Sequence, residues 1–268
     1  MTQAAPTTPG RAGASSVLLG VVGLAGFAAL LEVLPRAGVV PAEYLPPTST
    51  IGRALVAQTE RPAFWTAFLD TLQTWLTGLV IAVVAGVVIG VVIGAVPVLR
   101  EATASTIEFL RPIPSVALIP LAVVLLGTGM EATLVLVVYA SFWQVLVQVL
   151  YGVADVDPIA RETANSYRFG RWERVRYLLW PTTLPYAMTG VRLAASVALI
   201  LTITGELTIG TPGLGKEIEV AYSSNAIAAM YSLVVVTGLL GVVANVVTRG
   251  AERRVLAWHP SVRKEIPA

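Results

Sequence analysis

One polar, arginine-rich segment set between long apolar runs constrains this chain more than any other feature. Residues 155–185 read DVDPIARETANSYRFGRWERVRYLLWPTTLP and carry Arg161, Arg168, Arg171, Arg174 and Arg176. An arginine at the centre of a bilayer costs about 2.5–3.5 kcal/mol on insertion scales, so burying all five costs on the order of 12–17 kcal/mol. The segment must stand in water, and the apolar runs on either side of it cannot. The chain is 56% hydrophobic and 13% charged, against about 25% charged in soluble domains. It reads as an all-α, polytopic membrane protein. About six helices of ~20 residues use most of the 268 residues, which gives a single integral membrane domain over 1–268.

The hydropathy pattern places span one at about Val17–Leu34 and span two at about Leu72–Val96, ended by Pro97 and Arg100. Between them an interfacial helix is expected from Ile51 to Asp70, with Phe64, Trp65 and Phe68. Span three, about Thr106–Leu126, is broken by Pro112, Pro114 and Pro120, and Gly127–Gly129 turn the chain. Spans four, five and six follow at about Ala132–Val153, Tyr186–Ile209 and Ala228–Val247. A polar tail (1–15) precedes the first span and a basic tail (249–268) follows the last. The apolar run after the N-terminal tail is too long for a signal sequence and is expected to be retained. Arg11, Arg100, the five loop arginines, Arg249, Arg253, Arg254, Arg263 and Lys264 fall on one side of the membrane. Arg36, Arg53, Arg61 and Lys216 fall on the other. The positive-inside bias puts both termini and the long loop in the cytoplasm.

The chain has no cysteine and one histidine, His259. Thiolate chemistry and histidine-based metal or acid–base chemistry within the membrane are thereby set aside. No catalytic residue and no metal ligand is expected, and neither is contact with nucleic acid. Gly78, Ala82, Gly86, Gly90 and Gly94 recur every fourth residue along span two. Small residues on one face let a second helix backbone approach closely, within the subunit or across a dimer.

Within the loop, Asp157-Pro158 reads as an N-cap and first helical position, with a helix to about Tyr167. Gly170 is expected to supply a turn. A second helix follows over Arg171–Trp180, with Trp172, Val175, Leu178 and Leu179 on one face, and Pro181 and Pro185 are expected to end it. Phe169 is expected as an exposed anchor at the tip.

Here the sequence resembles the permeases of ABC importers, which carry a cytoplasmic signature of Glu-Ala-Ala, three residues, Gly, nine residues, then apolar-x-Leu-Pro. Glu162-Thr163-Ala164 matches its start, and Leu178-Leu179-Trp180-Pro181 its end at the same spacing. Thr163, Arg168 and Trp180 depart from the family's Ala, Gly and Leu. LRPIPSVALIPL (110–121), LPYAMTGVRLA (184–194), GLGKEI (213–218) and AERRVLAWHP (251–260) are similar to the nitrate/sulfonate/taurine branch, and the resemblance covers roughly 70–260. It implies a type I ABC-importer permease bundle whose loop forms a coupling helix docked on a soluble ATPase. Glu162, Thr163 and Ala164 would then face the ATPase, with Arg168, Phe169, Gly170 and Arg171 near the tip. A second permease copy, an ATPase dimer that binds the ATP and Mg, and an extracytoplasmic solute-binding protein would complete the assembly in the cell membrane. No cofactor would belong to this chain.

Gly210–Lys216 (GTPGLGK) fits the first seven positions of a phosphate-binding P-loop, but Glu217 stands where Ser or Thr would hold magnesium. It is expected to turn the chain near an outer gate. Candidate pathway-lining residues are Pro112 and Pro114, whose rings free backbone groups, Ser141, Gln144 and Gln148 on span four, and Glu206, an ionisable residue deep in apolar sequence. Glu108 and Arg111 are spaced to pair, and Arg192 is expected to snorkel or to find a carboxylate. The alternative reading is an ion-coupled secondary transporter, with Glu206 as its coupling carboxylate. An intramembrane enzyme lacks the residues for its chemistry.

Overall fold

The structure, a computed structural model, describes residues 12–258, with side chains described from Leu18 onward. His259, Arg11, Arg263 and Lys264 lie outside the described residues. The helices are α1 (Ala12–Arg36), α2 (Thr48–Thr59), α3 (Pro62–Ala95), α4 (Pro97–Leu110), α5 (Ile119–Leu126), α6 (Met130–Ala154), α7 (Pro158–Ser166), α8 (Arg171–Arg174), α9 (Trp180–Ile209), α10 (Leu214–Ser223) and α11 (Ile227–Val255). Among the described residues, five helical stretches are long and apolar enough to cross a membrane. A sixth crossing is formed if α4 and the Ser115–Leu126 segment count as one span, bent by 81°.

The expected interfacial helix over Ile51–Asp70 is split at Glu60–Arg61: its first part lies in the separate helix α2, and its second part is the start of α3. Pro62 opens α3, and nothing between Asp70 and Leu72 breaks it, so α3 runs unbroken for 34 residues. Phe64, Trp65 and Phe68 therefore decorate the first turns of span two, where their rings pack against one another. Span three breaks at Pro112 and Pro114, which sit exposed at the bend. Pro114 has no N–H for the Leu110 carbonyl four residues back. Instead that carbonyl accepts from the Tyr139 hydroxyl of α6 at 2.8 Å and from the Ile113 amide at 3.2 Å, so a neighbouring helix helps satisfy the freed group. Pro120 does not break the helix, because it sits in the first turn of α5, where a proline lacks nothing.

The core lies where α6 is held between α3 and α9. A Cβ built on Gly78, Gly86, Gly90 or Gly94 would stand 2.5–2.9 Å from Val137, Val145, Val149 or Val153 respectively. Both series step by four, so α3 and α6 run parallel with each glycine receiving one valine. Ala82, in the same stripe, is fully buried. The other face of α3 carries Val80, Val84 and Val88, all more than half exposed. Side-chain size, not polarity, gives this uniformly apolar helix its two faces. Against α9 the ladder is antiparallel. Gly152 meets Thr183, Gly190 meets Val145 and Gln148, and Gly205 meets Thr133. The Trp75 indole N–H reaches the Ala195 carbonyl at 2.9 Å and ties α3 to α9.

The expected stop at Pro181 and Pro185 does not occur. From Arg171 to Ile209 the chain is helical for 39 residues, passing through a π turn at Val175–Leu179. That turn widens the backbone just where the Pro181 ring would strike the carbonyl four residues back. Hydroxyls cover exposed carbonyls on either side: Thr182 donates to Leu178 at 2.9 Å and Thr189 to Pro185 at 3.1 Å. Arg192 pairs with Glu252 of α11 at 3.3 Å, as expected of an arginine near a span end. Glu108 and Arg111 form no ion pair and both stay exposed.

Candidate coupling arm and outer polar knot

The arm starts as the sequence indicates. The Asp157 carboxylate accepts from the Ile159 amide at 2.8 Å, with Pro158 in the first turn of α7. A carboxylate capping a helix start is worth about 1 kcal/mol. The end of α7 departs from expectation. Arg168, not Gly170, makes the turn, with φ of +56°. The Phe169 amide donates to the Ala164 carbonyl at 2.9 Å and the Arg168 amide to Asn165 at 2.9 Å. This pair of bonds is the Schellman closure, which calls for a left-handed residue at the place Arg168 holds. The arginine thus takes a left-handed backbone that a glycine would adopt without strain. Gly170 is extended, and its amide donates to the Glu173 carboxylate at 2.6 Å, which starts α8.

The closure decides what the arm displays. Phe169 folds back, half-buried, with its ring edge-on to Tyr177 at 6.3 Å. It is not the exposed anchor expected. Ala164 is buried and its carbonyl is used by the turn, whereas Glu162, Thr163, Arg168 and Arg171 are exposed. A groove of 410 Å³ runs between α7 and the π turn, lined by Asp157, Ile159, Thr163, Ala164, Phe169 and Tyr177 among others. The large apolar groups facing outward most are Ile159 at 73%, Tyr167 at 75% and Trp172 at 73% exposure, with Tyr177 also exposed. Helical periodicity puts Trp172 on the covered face. The arm stands clear of the bundle there, so nothing covers it. Tyr186 donates to Asp155 at 2.8 Å and pins the base of the loop to α9.

At the far end of α9 lies a second constellation. Glu206 is fully buried and lines no open path. One carboxylate oxygen accepts from the Thr71 hydroxyl and from the Gly215 amide, both at 2.9 Å. The Leu214 amide donates to the Thr71 hydroxyl oxygen at 2.8 Å. Thr133 and Thr211 exchange a hydrogen bond at 3.1 Å beside this cluster, both buried. The first amides of α10 are thus capped by a carboxylate from α9 and a hydroxyl from α3. Gly213 takes φ of +150°, and a Cβ there would overlap the Glu206 carboxylate. The P-loop-like glycines therefore do form an anion cradle at a helix start, and the protein's own carboxylate occupies it. Thr71, Thr133 and Thr211 were not singled out by sequence. Threonines in apolar runs are too common to signal a cluster, and only the pairing of a buried acid with a nearby Gly-x-Gly hinted at one.

The remaining pathway candidates separate. Ser141 is fully buried and donates to the Ala194 carbonyl at 3.4 Å, which makes it a packing contact between α6 and α9. Gln144 and Gln148 are half-buried beside Gly190. Pro112 and Pro114 stand exposed at the bend of the broken crossing.

A glycine-laddered helical bundle with one broken crossing, and a polar arm built on the extension of another, is the architecture of a membrane permease subunit. The chain belongs to the family of binding-protein-dependent transport system inner membrane components, whose model matches residues 78–257. It is 28% identical over 167 residues to the taurine transport system permease protein TauC of Escherichia coli (strain K12), covering 62% of this chain and 61% of that one. It is 26% identical over 238 residues to the bicarbonate transport system permease protein CmpB of Synechocystis, covering 84% of both. The nitrate import permease protein NrtB of Leptolyngbya laminosa is 23% identical over 187 residues, with 70% of this chain and 67% of that one covered. Among solved structures, the inward-facing MetNI methionine ABC transporter matches with a TM-score of 0.60 at 19% identity, covering 70% of this chain and 93% of that one. An amino acid ABC transporter matches with a TM-score of 0.58 at 19% identity, covering 72% and 94%. These two share the fold.

Proposed function

We propose that this chain is the transmembrane subunit of an ATP-driven importer of small solutes, of the class handled by taurine, nitrate, bicarbonate and sulfonate permeases. Two copies form the pathway in the cytoplasmic membrane, with both termini and the 155–185 loop in the cytosol. ATP and Mg are held by a partner ATPase dimer that docks on the loop, and a solute-binding protein delivers cargo at the opposite face. No step of bond chemistry occurs in this chain.

The observation that carries this reading is the mechanical continuity of the arm. The α7 hook is closed onto a 39-residue helical rod, roughly 58 Å long at 1.5 Å per residue. The rod passes from the loop through the core to Glu206 and the capped α10. A push on the hook has no flexible joint in which to dissipate before it reaches the outer knot. ATP binding by the partner would shift the balance between inward- and outward-open arrangements by moving this rod against α6.

The exposed Glu162, Thr163, Tyr167 and Trp172 form the docking face. Buried aromatic anchors dominate most interfaces, so Trp172 carries the most. The test is co-purification and transport-stimulated ATP turnover with Trp172→Ala and Glu162→Ala. Both readouts are expected to fall at least tenfold for Trp172→Ala while membrane insertion and yield hold. If both persist at wild-type level, the docking assignment is wrong.

A further inference from the structure

We propose that a recess at the root of the coupling arm binds the phosphate of an anionic phospholipid headgroup. The recess has a volume of 170 Å³ and is lined by Arg100 of α4, Arg161 of α7 and Arg174 of α8, with Pro97, Val153 and Leu179 among its walls. Three arginines from three separate helices therefore line one small cavity. Among the described residues, no acidic side chain lines it. Among the described residues, none of the three arginines has a carboxylate within ion-pair range. Only Arg174 has a protein partner, the Phe169 carbonyl, reached through its Nε at 3.0 Å, which leaves its terminal nitrogens free. Clustered like charges without a counter-charge repel one another, so the arrangement is satisfied by an anion. Planar forked donors suit a phosphate.

The surroundings select a lipid over a free ion. The recess lies where the apolar run of α3 gives out and the polar loop begins, which is headgroup depth. Val96, Val98 and Leu99 beside it are 41%, 74% and 39% exposed. A cationic pocket with an apolar flank matches a molecule with a phosphodiester at one end and acyl chains at the other. A lipid seated there would touch the α3–α4 junction and both helices of the hook at once. It would brace the hook against the bundle. This inference does not depend on the transport reading, because it concerns the lipid preference of the isolated subunit.

The experiment is equilibrium binding of fluorescent phosphatidylglycerol to the purified full chain in detergent, with phosphatidylcholine and inorganic phosphate as competitors. Each of Arg100→Gln, Arg161→Gln and Arg174→Gln is expected to weaken phosphatidylglycerol binding about fivefold, and the triple variant on the order of a hundredfold. Arg249→Gln, on α11, is expected to change nothing, and Arg161→Lys to keep most of the preference. Phosphatidylcholine should compete poorly. Unchanged affinity in the triple variant overturns the proposal. Competition by inorganic phosphate at lipid-like concentrations assigns the recess to a free anion and overturns it too. Release of the lipid when the ATPase partner is added shows that protein carboxylates fill the recess in the assembled transporter, which also contradicts it. Should the triple variant fail to fold, the three single variants decide the matter on their own.

Discussion

Consider a single methyl group added within the α3–α6 seam. In Gly90→Ala the new Cβ would stand 2.7 Å from Val149 Cγ1 and 2.9 Å from its Cβ. Carbon–carbon contacts are comfortable at about 3.5–4.0 Å, so the helices must part by roughly 1 Å. Because both are rigid and parallel, the gap opens also at Gly86/Val145 and Gly94/Val153. A gap of about 0.5–1 Å forfeits a quarter to a half of each dispersion contact. Overpacking of this kind costs about 1–3 kcal/mol. The exchange of glycine for alanine in a helix returns about 1 kcal/mol, so the net expectation is a loss of about 0–2 kcal/mol. The assay is reversible unfolding of the purified protein in mixed micelles titrated with denaturing detergent. Gly238→Ala on α11 is the control, since a Cβ there meets nothing within 4 Å. It is expected to be neutral or stabilising by up to about 1 kcal/mol. Combining Gly90→Ala with Val149→Ala should recover part of the loss, with a coupling of about 1–2 kcal/mol. If Gly90→Ala and Gly238→Ala behave alike, the ladder is not what holds these helices together.

Further outcomes are expected elsewhere. Glu206→Ala strips the cap from α10 and leaves buried donors unpaired, at about 2–3 kcal/mol. Glu206→Gln keeps an acceptor in place and should cost under about 1 kcal/mol, so equal losses in the two variants in the same unfolding assay would refute the capping role. Arg168→Gly removes a side chain from a left-handed residue, which favours the turn by about 1 kcal/mol. Amide exchange at Phe169, whose N–H closes the turn onto Ala164, should slow about fivefold, and faster exchange would contradict the assignment of the turn to Arg168. Arg192→Ala should weaken the α9–α11 contact by no more than about 1 kcal/mol, because the pair with Glu252 is partly solvated. A loss above about 3 kcal/mol by detergent titration would mean the ion pair holds more than is visible.

Much of this architecture was legible because the membrane enforces it. Five long spans, the broken third one, the water-exposed loop and the Asp157 cap all follow from burial cost and local backbone chemistry. The glycine stripe was legible too, although its partner valines on α6 were not, since a stripe says that something approaches and not what. What sequence misplaced were the joints. Pro181 and Pro185 look like helix ends, but a π turn and two threonine hydroxyls carry the helix past them, and no propensity records that option. Gly170 looks like the turn, but the hydrogen-bond closure at the end of α7 needed its left-handed residue two positions earlier, where an arginine stands. Phe169 looked exposed because it is in a polar loop, whereas the same closure folds it back on Tyr177. Glu206 is expected from sequence to line the pathway, whereas it is buried as the cap of α10. Its purpose is visible only once Thr71 and Gly215, 135 and nine residues away in sequence, are seen beside it.

The most direct test uses the absence of cysteine from the chain. A single cysteine placed at Thr163 in otherwise native protein reports both the side and the contact of the α7 hook. In sealed vesicles it should react with an impermeant maleimide only from the cytosolic face. That reaction should be strongly slowed when the ATPase partner is present and loaded with nucleotide. Labelling from the outer face, or full reactivity in the assembled, nucleotide-loaded complex, would contradict the account of how force enters this bundle.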